Sequence, residues 1–279
     1  MIKIYRTQRG IVAETNGSCY ALENTDWDDF TTRDDIAGAV RERIDNAEPL
    51  STPFSPEITP VLSPVGSQEV WAAGVTYHRS RDARMEEASA AGGGDFYDRV
   101  YDAERPELFF KATAHRAVGH RQGVRIRGDS NWNVPEPELT LLISPSSRII
   151  GYTIGNDMSS RDIEGKNPLY LPQAKVYNQC AALGPGILIT DEALPNTTEI
   201  RMKVTRGGEI CFSGATRLSK MKRKPEELVA FLFRYNSFPN GCYLMTGTGV
   251  VPPDGFSLQS SDEIRISIDG IGTLVNFVT

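Results

Sequence analysis

The feature that most constrains how this chain can fold is a succession of short β-type runs between Leu108 and Val278, interrupted by turn residues. The runs are Leu108–Phe110, Val124–Arg127, Leu139–Ser144, Arg148–Ile154, Ile187–Thr190, Glu199–Thr205, Glu209–Phe212, Tyr243–Met245, Glu263–Ile268 and Thr273–Val278. Such spacing predicts a large antiparallel or mixed β-structure. Arg148–Ile154 follows Leu139–Ser144 after a Pro/Ser turn, and the two are expected to pair as a hairpin. One convincing helix interrupts the β pattern. Pro225 opens it, Glu226 and Glu227 suit the positive end of its dipole, and Leu228, Phe231, Leu232 and Tyr235 form its expected buried stripe.

Upstream, residues 2–22 alternate like a small β-meander with turns at Gly10 and Asn16-Gly17. A helical segment is expected over Asp34–Asp45, where Ile36, Val40 and Ile44 recur at near-helical spacing. The Pro/Ser-rich run from Pro49 to Pro64 resists regular structure and reads as a linker. This division places a small N-terminal α/β domain and linker at residues 1–66 and a larger domain at 67–279. Glu69–Thr76 opens the latter as a buried strand. Tyr77–Ala91 has helix-forming composition and runs into Gly92-Gly93-Gly94, with a second short helix over Asp95–Glu104. The excursion fits a mobile lid and fits equally an ordinary pair of surface helices.

Composition bears on partners and compartment. A formal net charge of -6 argues against nucleic-acid binding, which needs a basic face. No apolar run approaches the ~20 residues that cross a bilayer, and Met1–Arg6 lacks a signal-peptide core, so a cytoplasmic, non-membrane protein is the expectation. Cys19, Cys180, Cys211 and Cys242 show no paired spacing and read as reduced core residues.

The chemistry concentrates between Pro135 and Lys175. Glu136 and Glu138 are two residues apart at a strand start, so alternation turns them the same way. Neighbouring carboxylates repel, and the arrangement calls for a cation or a proton unless both are exposed to water. Asp157 follows the next strand; whether it approaches Glu136 depends on how the strands pair. With no His or Cys among them, these oxygen donors suit Mg²⁺, Mn²⁺ or Ca²⁺ rather than zinc. Arg161 and Lys175 suit an anionic substrate.

Several motifs resemble the fumarylacetoacetate hydrolase family. They are Gly74-Val75-Thr76-Tyr77, Phe110-Lys111, Pro135-Glu136-Pro137-Glu138-Leu139, the run from Gly151 to Asp162, Lys175, and Thr246-Gly247-Thr248-Gly249, all in the family's order. The resemblance spans about residues 68–279. It implies a mixed β-rich α+β fold, the family's β-roll, beside a small N-terminal domain, usually in a homodimer or higher homo-oligomer. It further implies Mg²⁺ or Mn²⁺ on Glu136, Glu138 and Asp157, with Arg161 supporting the site and Lys175 reaching the substrate. Thr248 and the amides around Gly247 would take the substrate carboxylate, and Lys111 is implicated by the same pattern. A 2-keto acid can chelate such a metal through its keto and carboxylate oxygens, and the metal then stabilises an enolate.

One departure from the family redirects the reading. Its smaller hydrolases carry a His a few residues beyond the Gly74–Tyr77 motif to activate water, and Ser80 stands at that position here; His78 falls two places early. Among family members, the segments around Gly74–Arg84, Ala103–Lys111, Asn133–Leu141 and Arg161–Tyr177 look closest to dehydratases of 2-keto-3-deoxy-pentonates. The implied reaction is that of a metal-dependent hydro-lyase giving 2,5-dioxopentanoate and water. Lys175 is the candidate base at C3, Glu164 the candidate acid for the leaving C4 hydroxyl, and Ser80 a substrate contact. The alternative within the family is a hydrolase that cleaves a C–C bond in a diketo acid. His115 and His120 read as solvated or structural, and Lys220, Lys222, Arg223 and Lys224 as a solvated face.

Overall fold

A computed structural model describes residues 1–45, 47–79, 100–190 and 192–279. The chain opens with β1 (Ile2–Thr7), β2 (Gly10–Thr15) and β3 (Ser18–Leu22), the expected meander. Two helices follow, α1 (Trp27–Thr31) and α2 (Ile36–Ile44). Asp26 caps the first through the amides of Asp28 and Asp29, and Asp35 caps the second through that of Gly38. Beyond residue 66 come β4 (Glu69–Gly74), β5 (Glu107–Ala112), β6 (Pro137–Ile143), β7 (Ile149–Asp157), α3 (Arg161–Lys166), α4 (Leu171–Lys175) and β8 (Ala181–Ile189). The rest comprises β9 (Glu199–Arg206), β10 (Glu209–Arg217), α5 (Pro225–Leu232), β11 (Cys242–Met245), β12 (Glu263–Ile268) and β13 (Gly272–Val278).

Two sheets organise these strands. The larger runs β3-β2-β1-β8-β7-β6-β11-β4-β5, with the short strand Ala117–Val118 also pairing β8. The smaller runs β10-β9-β12-β13 and ends on Gly123–Val124. β6 and β7 form the expected antiparallel hairpin, with Leu139 opposite Ile154 and Glu138 opposite Gly155. β1 pairs antiparallel with β8, Ile4 opposite Ile187, so the meander continues the larger sheet.

A core lies on each face of the larger sheet. Leu139, Leu141 and Ile143 point into a core shared with Ile200, Met202, Ile264 and Ile266 of the smaller sheet and with Leu228 and Leu232 of α5. Leu142 and Tyr243 point the other way, into a core closed by Trp27, Phe30, Ile36 and Val40 of the two N-terminal helices. Every residue of β6 is therefore buried, and its last three, Leu141-Leu142-Ile143, are apolar on both faces rather than alternating. Segment 47–68 contains no helix or strand but is firmly attached. The Pro64 carbonyl accepts from both Trp27 Nε1 and Tyr243 Oη, each at 2.7 Å, and Arg6 reaches the Val65 carbonyl at 2.6 Å.

Three local expectations need correction. The strand expected at Ile187–Thr190 begins at Ala181 and runs through Gly184-Pro185-Gly186. Pro185 lacks an amide donor, and it is tolerated where the β7–β8 register shifts between Tyr152 and Ile154. Helix α5 stops at Leu232, so the 3.6-residue period no longer applies at Tyr235, which is fully exposed with φ at 61°. Arg223 is not part of a solvated face. It is buried, ion-paired to Glu227 at 2.6 Å and bonded to the carbonyls of Val100, Ala103 and Glu104.

Ile4 is completely buried against the helices and joins the first strand to β8. Ile4→Ala is expected to lower stability by about 2–5 kcal/mol, the usual cost of such a cavity, as read from urea unfolding.

Candidate functional site

Hairpin pairing answers the question left open by spacing. Asp157 ends β7, and its amide donates to the Glu136 carbonyl at 3.0 Å, across from the start of β6. Glu136, Glu138 and Asp157 thereby converge: one carboxylate oxygen from each lies within 4.8 Å of the others. All three are buried. A third segment arrives with the loop after β11, where the Gly247 amide donates to Glu138 Oε2 at 2.5 Å. Gly247 adopts φ +90°, and a Cβ there would sit 2.1 Å from Thr76 Oγ1, so glycine is required for this approach. Thr248 is buried beside it, with its hydroxyl engaged by Val250 of the same loop.

Cations surround the trio. Lys175, at the end of α4, donates to Glu136 Oε2 at 2.7 Å, Ser159 Oγ at 2.6 Å and Asp157 Oδ2 at 3.1 Å, and lies 3.4 Å from Glu164 Oε1. Arg161 donates to Glu136 Oε1 at 2.7 Å, with its Nε 3.7 Å from Glu164. Lys111 reaches Asp157 Oδ1 at 2.5 Å and the carbonyls of Lys175 and Met158 at 2.5 and 2.9 Å. Phe109 covers the Lys175 ammonium, its ring centroid 5.6 Å away.

Charge balance limits what such a site can hold. Among the described residues, four buried carboxylates (Glu136, Glu138, Asp157, Glu164) face three cations (Lys111, Arg161, Lys175), leaving one formal negative charge. A divalent cation would reverse that sign, and a monoanionic ligand would then restore neutrality. Ionised groups taken from water are tolerated only when they are compensated in this way. Glu138 shows the strain most clearly. Burial first, then repulsion from Asp157 and Glu136, raises its carboxyl well above the ordinary carboxylate range, against the opposing pull of Lys175 and the Gly247 amide. An all-oxygen trio whose members repel one another fits a hard divalent ion of the Mg²⁺ type.

Of the residues singled out in the sequence, Glu136, Glu138, Asp157, Arg161, Glu164, Lys175, Lys111 and Gly247 meet in this cluster, and Thr248 adjoins it. Ser80 lies outside the described residues, as does most of the expected Tyr77–Glu104 lid. Ser159 went unnoticed. Its signal was present, because it follows Asp157 by two residues and alternation carries it to the same side.

Residues 69–279 match the family model described as fumarylacetoacetate (FAA) hydrolase, C-terminal. A Haloferax volcanii protein described as "Probable 2-keto-3-deoxyxylonate dehydratase" is 42% identical over 283 residues, covering 98% of this chain and 96% of its own. The "2-dehydro-3-deoxy-D-arabinonate dehydratase" of Saccharolobus solfataricus is 44% identical over 217 residues, 77% of this chain and 73% of its own. A solved structure, "2-keto-3-deoxy-D-arabinonate dehydratase complexed with magnesium and 2,5-dioxopentanoate", superposes with a TM-score of 0.82 at 32% identity, covering 100% of this chain and 98% of the other.

The folded state holds the Glu138 proton more tightly than the unfolded chain, where a glutamate titrates near about 4.3. Metal-free protein therefore loses stability as pH rises from that value through the raised folded pKa. Glu138→Gln is expected to remove this loss, so that metal-free variant melts above metal-free wild type at neutral pH. It should also abolish the rise in melting temperature that Mg²⁺ gives the wild type. Calorimetric melting with and without Mg²⁺ across a pH series checks both.

Proposed function

Because this chain belongs to the fumarylacetoacetate hydrolase family, we propose that it is a Mg²⁺-dependent hydro-lyase converting a 2-keto-3-deoxy-pentonate into 2,5-dioxopentanoate and water. The observation that carries this reading is the 42% identity, along essentially the whole chain, to the Haloferax volcanii protein described as "Probable 2-keto-3-deoxyxylonate dehydratase". The buried carboxylate trio supplies the matching chemistry. Glu136, Glu138 and Asp157 would hold the ion, with Mn²⁺ or Ca²⁺ as substitutes. Once bound, the ion would supply Lewis-acid withdrawal of electron density from the 2-keto group, acidifying the C3 protons.

The remaining work falls to side chains. Thr248 and the amides of its loop bind the substrate carboxylate, and Arg161 keeps Glu136 oriented. Lys175 must lose a proton before it can act as a base. Glu164 Oε1, 3.4 Å from its Nζ, is placed to take it. That one transfer makes a neutral amine and a neutral carboxylic acid, the pair the elimination requires. Lys175 then removes a C3 proton while Glu164 protonates the departing C4 hydroxyl, releasing water and restoring ammonium and carboxylate. The product at this point has a C3–C4 double bond. Returning a proton to C3 and removing one from C5 shifts the bond to C4–C5, and the resulting enol becomes the aldehyde of 2,5-dioxopentanoate. Ammonium and carboxylate are in the right protonation states for that second exchange.

In this proposal residues 67–279 carry the chemistry, while residues 1–66 close the outer face of the sheet. The protein acts as a homo-oligomer in the cytoplasm. No helix among the described residues is long and apolar enough to cross a membrane.

Purified protein with Mg²⁺ and 2-keto-3-deoxy-pentonate is expected to yield an aldehyde-bearing dioxo acid, detected by hydrazone formation and mass spectrometry. Pyruvate as the product would mean C–C cleavage and overturn the reading in favour of the hydrolase alternative. Lys175→Met and Glu164→Gln should each lower turnover by about 10²–10⁴-fold, the range for lost acid–base catalysis. Lys175→Met should still bind Mg²⁺, and titration calorimetry of that variant checks the separation of roles.

A further inference from the structure

Lys111 sits on β5, the edge strand of the larger sheet. Across the ladder Val70 faces Ala112 and Trp71 faces Phe110, so Lys111 has no opposite number: it is the extra residue of a β-bulge. Bulges of this kind re-aim one side chain out of the strand's alternation. The re-aimed ammonium is completely buried; it donates to the carbonyls of Met158 and Lys175 and is ion-paired with Asp157 Oδ1. These contacts tie the ammonium to the protein's own backbone and to Asp157, whereas the family pattern suggested a substrate role for this lysine.

Those acceptors belong to two separate elements. Asp157 and Met158 end the hairpin strand that presents a carboxylate to the trio. The Lys175 carbonyl closes α4, whose last side chain supplies the amine. We propose that Lys111 is a positioning residue: it locks the β7 end to the end of α4 and so sets the placement of Lys175 relative to Asp157. The two lysines divide Asp157 between them, Lys111 on Oδ1 and Lys175 on Oδ2. Removing Lys111 leaves Oδ1 of a buried carboxylate without its cation and frees the carbonyl end of α4 in the same step. The inference rests on the proposed function for the role of Asp157 as a metal ligand and of Lys175 as a base.

Lys111→Met keeps the unbranched apolar stem of the side chain, one atom shorter, and removes its charge and donors. Titration calorimetry with Mg²⁺ alone should show affinity at least about tenfold weaker, the scale of losing a partner of a metal ligand. With Mg²⁺ saturating, kcat for 2-keto-3-deoxy-pentonate should fall at least about tenfold while KM stays within about threefold of wild type. A rise in KM with unchanged Mg²⁺ affinity would place Lys111 on the substrate and overturn the proposal, as would wild-type values throughout. Should the variant not fold, a crystal structure of the wild-type protein with Mg²⁺ and pyruvate decides. The Lys111 ammonium held by Asp157 and the Lys175 carbonyl supports positioning, and a pyruvate oxygen bonded to it refutes it. Wild type that binds Mg²⁺ yet leaves the pentonate unchanged sinks the dehydratase reading alone, since the calorimetric arm needs no turnover.

Discussion

Everything about this site depends on holding four carboxylates out of water in one place. A buried carboxylate without compensation costs several kcal/mol, and a cluster of them would drive the surrounding backbone apart or take up protons. Here each member has defined partners. Glu136 carries Arg161 on one oxygen and Lys175 on the other, and Asp157 carries Lys111 and Lys175 in the same manner. Glu138 accepts from a backbone amide, that of Gly247, and its burial beside two other carboxylates raises its proton affinity. Among the described residues the arrangement is balanced to within one charge, which leaves room for a dication followed by an anion.

Such precision needs a rigid frame, and the larger sheet provides it by being buried on both faces. β6 and β7 are packed against the smaller sheet on one side and against the N-terminal helices on the other. Their shared end, where Glu136, Glu138 and Asp157 project, cannot fray without opening both cores. Helices α3 and α4 then bring Arg161, Glu164 and Lys175 back over that end. The N-terminal residues thus bear on the site indirectly, through Trp27, Phe30 and the strand β1 that extends the sheet.

Much of this was legible in the chain itself. The β6–β7 hairpin, the meander at residues 2–22, the helix at Ile36–Ile44 and the strand Glu263–Ile268 all follow from local periodicity and turn chemistry. The acidic donors, Arg161 and Lys175 stood out because their types suit a hard cation and an anionic ligand. Errors arose where a local pattern was overruled by its neighbours. The strand expected at Ile187–Thr190 begins instead at Ala181 and runs through Pro185, which a register shift in the adjacent pair accommodates. Tyr235 continued the spacing of a helix that had already ended, and Arg223, taken for a solvated cation, is buried against Glu227.

The division has a single physical origin. Periodicity, capping and side-chain chemistry are properties of residues a few positions apart, so the sequence alone determined the strand-rich content, the oxygen-donor set and the class of ion it suits. Cross-strand register, bulges and loop approach depend on groups tens to more than a hundred residues distant. Only the tertiary structure could bring Gly247 to Glu138, set Asp157 against Glu136, and turn Lys111 inward at a bulge to meet the backbone of Lys175. Which charges face one another is decided by the hydrogen-bonded ladder, and the ladder is a property of the folded chain.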